Sequence, residues 1–76
     1  MRLTELSLGE SAQVVEILAE DKQRRRLLDL GLTEGTRVVA KRKSPSGAPK
    51  AFLIRGTLLA LRSAETDLVV VKSIEN

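Results

Sequence analysis

The 76-residue chain has no cysteine, no histidine, no tryptophan and no tyrosine, and its only aromatic residue is Phe52. Without cysteine no disulfide can support this small domain, so its stability must come from packing. Without imidazole and thiol groups, the usual nucleophile–base pairs cannot be assembled. The nitrogen and sulfur ligands that suit ferrous iron are also missing. We therefore expect no catalytic site, no resident metal and no cofactor.

Long apolar runs are absent as well. The longest, Leu58–Leu61 and Leu68–Val71, have the length of a strand, whereas a membrane span needs roughly 18 apolar residues or more. The N-terminal sequence MRLTELSLGES interrupts its leucines with polar residues, unlike the apolar core of a signal peptide. We expect one cytoplasmic domain over residues 1–76 that does not insert directly into a membrane.

The charge is modestly positive. Thirteen Lys and Arg residues stand against 10 Asp and Glu, giving a net charge of +3 and a pI of about 9.8. A pI above ~9 raises the question of nucleic-acid binding. Here the two signs are interleaved, and Phe52 alone cannot supply the aromatic platform on which bases stack. Nucleic-acid binding is thus an alternative function and not the expected one.

The hydrophobic periodicity predicts a mainly β domain. Strands are predicted at Ser11–Leu18, Thr36–Lys43, Ala51–Ile54, Thr57–Arg62 and Leu68–Ile74. One helix, Asp21–Leu30, follows the first strand, and Ser63–Asp67 forms a short helical turn with Ser63 as its cap. This order does not alternate strand and helix as a parallel doubly wound sheet does. We expect a small SH3-like β-barrel of about five strands with one short helix inserted after the first strand.

Apolar residues indicate which faces turn inward. The segment before the first strand is expected to pack against the barrel through Leu3, Leu6 and Leu8. In the first strand, alternation places Val15 and Ile17 on one face. In the second strand, Val38 and Ala40 are expected to point inward, which leaves Arg42 at the rim of the barrel.

Three glycines are assigned to turns. Gly31 ends the helix in the left-handed conformation, and a Schellman arrangement would return Leu32 onto Leu27. Gly35 belongs to a second turn before the next strand. Gly56 supplies the positive φ of a two-residue hairpin between the third and fourth strands.

The helix carries the densest cluster of charge. Asp21 is expected to cap its N-terminus, and Arg24–Arg26 lies one turn further on. Consecutive helix residues point ~100° apart, so the three arginines cannot share one direction. The cluster is either a solvated face, paired weakly with Asp21 and Asp29, or a surface for a partner. The second basic run, Lys41–Lys43, is explained as well by protection of a sheet edge.

Two blocks of the sequence carry a resemblance. They are Arg24–Val38 and Arg55–Arg62, joined by the loop Ser44–Lys50, and they contain in order RRLL, LGL, G-T-x-V, Gly-x-Pro, R-G and L-x-L-R. This ordered set resembles the ferrous iron transport protein A family, the FeoA domain, over nearly the whole chain. Two positions depart from the usual pattern. Ala48 stands where aspartate is frequent in the loop, and Glu34 stands where proline is common.

The resemblance implies a small cytosolic SH3-like barrel that accompanies FeoB, a membrane protein with a GTP-hydrolysing domain that moves ferrous iron inward. We therefore expect a regulator that docks on the cytoplasmic part of a FeoB-type transporter and tunes transport or GTP hydrolysis. Two alternatives remain open, a small basic barrel that binds nucleic acid and a structural module that forms homo-oligomers.

The candidate docking residues lie on the helix. It is the one element whose exposed side combines arginines with aliphatic neighbours, and arginine is enriched where interfaces carry their binding energy. The candidates are Arg24, Arg25 and Leu28, with Ser46 and Lys50 of the loop at the edge of the surface.

Overall fold

The structure, a computed structural model, describes residues 1–46 and 49–74. Within these residues the chain forms a 3₁₀ turn at Leu3–Glu5, strands β1 (Ser11–Ile17), β2 (Arg37–Lys43), β3 (Lys50–Ile54), β4 (Thr57–Leu61) and β5 (Val69–Ile74), and helices α1 (Asp21–Asp29) and α2 (Ser63–Thr66). The strands pair antiparallel in the order β4-β3-β2-β1-β5. This confirms the mainly β class, the five strands and the helix inserted after the first strand. Neither helix of the described residues has the length and apolar composition of a membrane span.

A single aliphatic core fills the inside of the curved sheet. Its largest fully buried side chains come from β1, β2, β3, β5, α1 and the segments around them and are Phe52, Leu3, Leu6, Leu27, Leu32, Ile54, Val14, Val38, Val69 and Val71. Each side chain of this size contributes roughly 1.5–3 kcal/mol when buried. Phe52 is therefore a core residue and offers no exposed ring.

A bulge in β1 changes which residues face the core. Val14 pairs with Val71 of β5, but the next pair is Glu16 with Val70, so Val15 has no partner in the ladder. One inserted residue moves the following side chains to the opposite face. Val14 and Ile17 are accordingly buried, while Val15 is 40% exposed. The prediction that Val15 and Ile17 share one face is wrong.

A second bulge lies in β2. Ala40 pairs with Phe52 of β3, and the next pair is Arg42 with Ala51, which leaves Lys41 as the extra residue. Val38 and Ala40 are fully buried, as predicted. Beyond the bulge, all three residues of the basic run are exposed.

The segment before β1 packs through two leucines and not three. Leu3 and Leu6 are three residues apart across the 3₁₀ turn and therefore point the same way into the core, where both are fully buried. Leu8 stands at the corner of the turn closed by the Glu10 N–H, which donates to the Ser7 carbonyl. Leu8 is 47% exposed, so the prediction that it packs against the barrel is wrong.

The starts of both helices differ from the predictions. Glu20 occupies the N-cap of α1, and Asp21 is the first residue of the helix, although its φ of 54° lies in the left-handed region. Arg62 occupies the N-cap of α2, and its N–H donates to Glu65 Oε1 at 3.2 Å. Asp21 and Ser63 are therefore not caps. In each case the capping residue is the one before the predicted cap.

The end of α1 has the predicted geometry. The Leu32 N–H donates to the Leu27 carbonyl at 3.1 Å and the Gly31 N–H to the Leu28 carbonyl at 2.9 Å, which is the Schellman pair of hydrogen bonds. Gly31 has φ +99°. Leu27 and Leu32 are both buried in the core. This stop fixes where α1 ends relative to the sheet.

The two other assigned glycines also lie in turns with positive φ. Gly35 has φ +89° in the turn before β2, and Gly56 has φ +80° in the two-residue turn between β3 and β4. Arg55 precedes Gly56 with φ 51°, so both central residues of this hairpin are left-handed, as a type I′ turn requires.

Gly31 and Gly35 form a matched pair for testing close packing. Both have strongly positive φ, but a Cβ on Gly31 would lie 3.2 Å from Ile54 Cγ2, whereas one on Gly35 has no atom within 4 Å. We expect Gly35→Ala to lower the free energy of unfolding by about 1 kcal/mol through backbone strain. Gly31→Ala adds crowding to that strain and should cost at least ~1 kcal/mol more. Urea denaturation followed by circular dichroism measures both; equal costs would contradict the close approach.

Candidate functional site

The three consecutive arginines of α1 are exposed and differ in what they contact. Arg24 Nη1 donates to the Ile17 carbonyl at 3.3 Å, and Arg26 Nη1 forms an ion pair with Glu65 Oε2 at 2.9 Å. Among the described residues, the side chain of Arg25 has no hydrogen-bond or ion-pair partner. The three side chains point in different directions because each helix residue is rotated by ~100° from the one before. Arg25 is therefore the arginine of this cluster that the fold leaves uncommitted.

Leu28 lies between these arginines and the core. It is half-buried and packs against the core cluster. It also lines a shallow depression of about 450 Å³ together with Asp21, Arg24, Arg25 and Asp29. The structure thus brings together Arg24, Arg25 and Leu28, three of the predicted docking residues. Neither aspartate of the depression forms an ion pair with an arginine in the described part of the chain.

A second depression continues from the first. Its volume is about 410 Å³, and it shares Leu28 and Asp29 with its neighbour. Its other lining residues come from the end of α1 and from the hairpin of β3 and β4, and they are Leu30, Gly31, Thr33, Ile54, Arg55, Thr57 and Leu59. We call the two joined depressions the α1–β4 groove. Leu30 and Leu59 are half-buried against the core, so the floor of the groove is apolar.

Arg55 lies at the hairpin end of the groove. Its Nη2 donates to Thr33 Oγ1 at 3.0 Å and more weakly to Thr36 Oγ1 at 3.5 Å. These contacts hold an exposed guanidinium beside the second depression. Arg55, Leu30 and Leu59 were not among the docking residues predicted from the sequence. For Arg55 the sequence did contain a signal, namely the two-residue turn, because a residue at the corner of such a hairpin projects away from the sheet.

Ser46 and Lys50 are not part of the groove. Lys43 pairs with Lys50 at one end of the β2–β3 ladder and Val38 with Ile54 at the other. Ile54 is the residue that lines the groove beside Gly31, so the loop before Lys50 lies at the opposite end of β3. Ser46 is exposed there. Gly47 and Ala48 of the predicted loop lie outside the described residues.

Lys50 is used by the fold itself. Its half-buried ammonium donates to the carbonyls of Thr4 and Leu6, both at 3.0 Å. These bonds tie the start of β3 to the segment that precedes β1. Hydrogen bonds from a charged donor are worth roughly 1.5–3 kcal/mol.

The chemistry of the groove suits association with a partner. In the part of the chain that the structure describes, no three His, Cys, Asp or Glu side chains come close enough together to hold a metal ion. The groove instead combines half-buried leucines with exposed arginines. Such a surface can bury apolar side chains of a partner and pair with its carboxylates.

Comparison with known proteins gives one family. The model of the FeoA domain matches residues 1–73. No curated protein matches the chain.

Several solved structures are similar in fold and sequence. A FeoA protein from Chlorobium tepidum is 37% identical with a TM-score of 0.89, over 99% of this chain and 71% of that one. A FeoA-like protein from Clostridium acetobutylicum is 32% identical with a TM-score of 0.91, over 100% and 88%. FeoA from Stenotrophomonas maltophilia, solved with zinc, is 38% identical with a TM-score of 0.82, over 95% and 89%. That protein is described as a prokaryotic SH3 domain protein and a proposed ferrous iron transport activating factor, which agrees with the SH3-like architecture found here.

Lys50 and Lys43 give a test of the structural role of Lys50. The two face each other in the β2–β3 ladder, but Lys43 is exposed and Lys50 is half-buried. Lys50→Met keeps the aliphatic stem and removes both hydrogen bonds, so it should lower the free energy of unfolding by roughly 1–3 kcal/mol. Lys43→Met should change it by less than about 0.5 kcal/mol. Denaturant titrations measure the free energy of unfolding of both variants. Similar losses for the two would show that the hydrogen bonds of the Lys50 ammonium do not stabilise the fold.

Proposed function

The chain belongs to the FeoA domain family, and on that basis we propose that it is an accessory protein of ferrous iron transport. In this proposal it docks in the cytoplasm on the cytoplasmic part of a FeoB-type transporter and modulates transport or GTP hydrolysis. The family match supports the link to iron transport, as do the descriptions of relatives such as the Stenotrophomonas maltophilia protein.

The observation that carries the docking proposal is the α1–β4 groove. Leu28 and Leu59 are apolar side chains that the core only half covers. Arg25 is exposed beside Leu28, and its side chain has no intramolecular partner among the described residues. Desolvated apolar pockets and arginines are the features that concentrate binding energy in protein interfaces. A partner surface with leucine-sized side chains and a carboxylate would satisfy both features at once.

Ser46 and Lys50 are left out of this docking surface. Lys50 is held by the backbone carbonyls of the N-terminal segment, and Ser46 lies at the far end of β3. The proposed surface therefore consists of the exposed side of α1 and the adjoining hairpin.

Binding of nucleic acid is less well supported. Phe52, the only aromatic residue, is fully buried, so no ring is exposed on which a base could stack. Several cations are also committed to intramolecular bonds, among them Arg2, Arg26 and Lys50.

The docking proposal predicts that charge reversal on α1 weakens binding. The variant Arg24→Glu/Arg25→Glu should bind the purified cytoplasmic part of FeoB at least about tenfold more weakly, and the remaining binding should depend less on salt. Arg25→Glu alone serves as a second variant because Arg24 also donates to the Ile17 carbonyl. Calorimetric titration at two salt concentrations measures the effect, and ferrous iron uptake should fall in parallel.

The matched control is Lys41→Glu/Lys43→Glu, which makes the same change of net charge on exposed residues of β2. It should bind as the wild type does. Circular dichroism verifies that all variants are folded. Equal weakening by both double variants would show that net charge, and not the α1 surface, determines binding. Unchanged binding of a folded α1 variant would place the interface elsewhere.

A further inference from the structure

Strand β4 is an open edge of the sheet. It stands at the end of the strand order, and its outer side has no strand beside it among the described residues. In an antiparallel ladder, hydrogen-bonded and non-hydrogen-bonded pairs alternate. The two-residue turn makes Ile54 and Thr57 a hydrogen-bonded pair, so the next hydrogen-bonded pair is Phe52 with Leu59. Leu58 and Ala60 of β4 belong to the non-hydrogen-bonded pairs and therefore direct their backbone N–H and C=O groups away from β3. These groups are free to accept another strand.

The opposite edge of the sheet is covered by the chain itself. The Val71 N–H donates to the Met1 carbonyl at 2.8 Å, and the terminal ammonium of Met1 donates to the Val71 carbonyl at 3.2 Å. Arg2 forms a bridge with Val70. The fold therefore protects β5 with its own N-terminus and leaves β4 uncovered.

β4 also lacks the features with which soluble proteins usually protect an edge. Its sequence TLLAL has no charged residue and no proline, and the ladder with β3 runs without a bulge. Edge strands of this kind are prone to pair with another chain. Leu58 is 44% exposed on the outer face, although an isolated exposed leucine would not by itself be informative.

The inner face of β4 continues into the α1–β4 groove. Thr57 and Leu59 line the groove together with Leu28 and Leu30. Side chains on the same face of neighbouring strands are in contact. A strand added beside β4 would therefore place every second side chain over the apolar floor of the groove.

We propose that β4 accepts an extended segment of the partner as an additional strand, and that this segment is apolar in its centre and carries carboxylates at its ends. The identity of the partner rests on the proposed function. The backbone groups of Leu58 and Ala60 provide the hydrogen bonds, and the groove provides the pockets for alternate side chains. The exposed Arg55 and Arg62 flank the two ends of β4, which is where carboxylates would be favoured.

A second copy of this chain fits the edge less well. Antiparallel pairing of two β4 strands that joins Leu58 to Ala60 of the second copy places Arg62 opposite Gly56 of that copy, next to its Arg55. An arginine of each copy then lies near each end of the ribbon, and repulsion between these like charges disfavours the pairing. The flanking arginines therefore favour an acidic partner.

Amide hydrogen exchange on the complex with the FeoB cytoplasmic part tests the inference directly. On complex formation the amides of Leu58 and Ala60 should exchange at least tenfold more slowly, while those of exposed residues on β2, such as Lys41, should not change. The variant Ala60→Pro removes one outward N–H that the ladder with β3 does not use. It should weaken binding at least tenfold.

Two further variants separate loss of pairing from loss of folding. Ala60→Thr keeps the N–H and suits a strand, so it should bind within about threefold of the wild type. Leu58→Glu keeps the backbone but places a negative charge beside the carboxylates of the segment, so it should weaken binding even if Ala60→Pro fails to fold. Circular dichroism checks the fold of each variant.

The outcomes distinguish this inference from the function on which it rests. If the wild type binds the FeoB part through Arg24 and Arg25 but the Leu58 and Ala60 amides stay unprotected, the added strand is refuted and the docking proposal stands. If the wild type does not bind, both fail. If protection appears with increasing concentration of the chain alone and sedimentation shows a dimer, the occupant is a second copy and the acidic partner segment is refuted.

Discussion

The close approach of the end of α1 to the β3–β4 hairpin is the constraint on which the functional surface depends. Gly31 permits it, because a side chain there would meet Ile54 Cγ2 at 3.2 Å and Arg55 Cδ at 3.3 Å. The Schellman stop directs Leu32 back into the core beside Leu27. The end of α1 and the β3–β4 hairpin are thereby held in fixed positions, and the groove is the space that remains between α1 and β4. The residue with no side chain thus determines where the exposed leucines and arginines meet.

The sequence predicted the elements well because each is specified locally. Alternation defines the strands, and Gly31 alone is enough to place the end of the helix. The errors arose where the outcome depends on a partner strand. Val15 faces outward because the pairing of β1 with β5 shifts by one residue at the bulge. The sequence of β1 alone contains no feature that predicts this shift. Leu8 is exposed because a turn closes around it, whereas its spacing from Leu6 suggested a continued inward face.

The same distinction explains the candidate site. Arg24, Arg25 and Leu28 could be grouped from the sequence because one helix turn brings them together. Leu59 could not, since it reaches the groove only through the pairing of β4 with β3 and the packing of α1 on the sheet. The loop residue Lys50 does not line the groove, because the pairing of β3 with β2 places it at the opposite end of β3 from Ile54. The sequence alone does not give that register.

The distribution of positive charge shows why the count of basic residues is a poor guide to function here. The chain has 13 Lys and Arg residues, yet several guanidinium and ammonium groups are consumed by the fold. Arg26 pairs with Glu65, Lys50 donates to carbonyls of the N-terminal segment, and Arg2 donates to the Asp67 carbonyl. A high pI therefore measures structural cations together with available ones. What points to a partner is the position of the uncommitted Arg25 beside half-buried leucines, because that combination adds apolar burial to charge pairing. A nucleic-acid surface would need many cations free at once, and this fold has already engaged a good part of them.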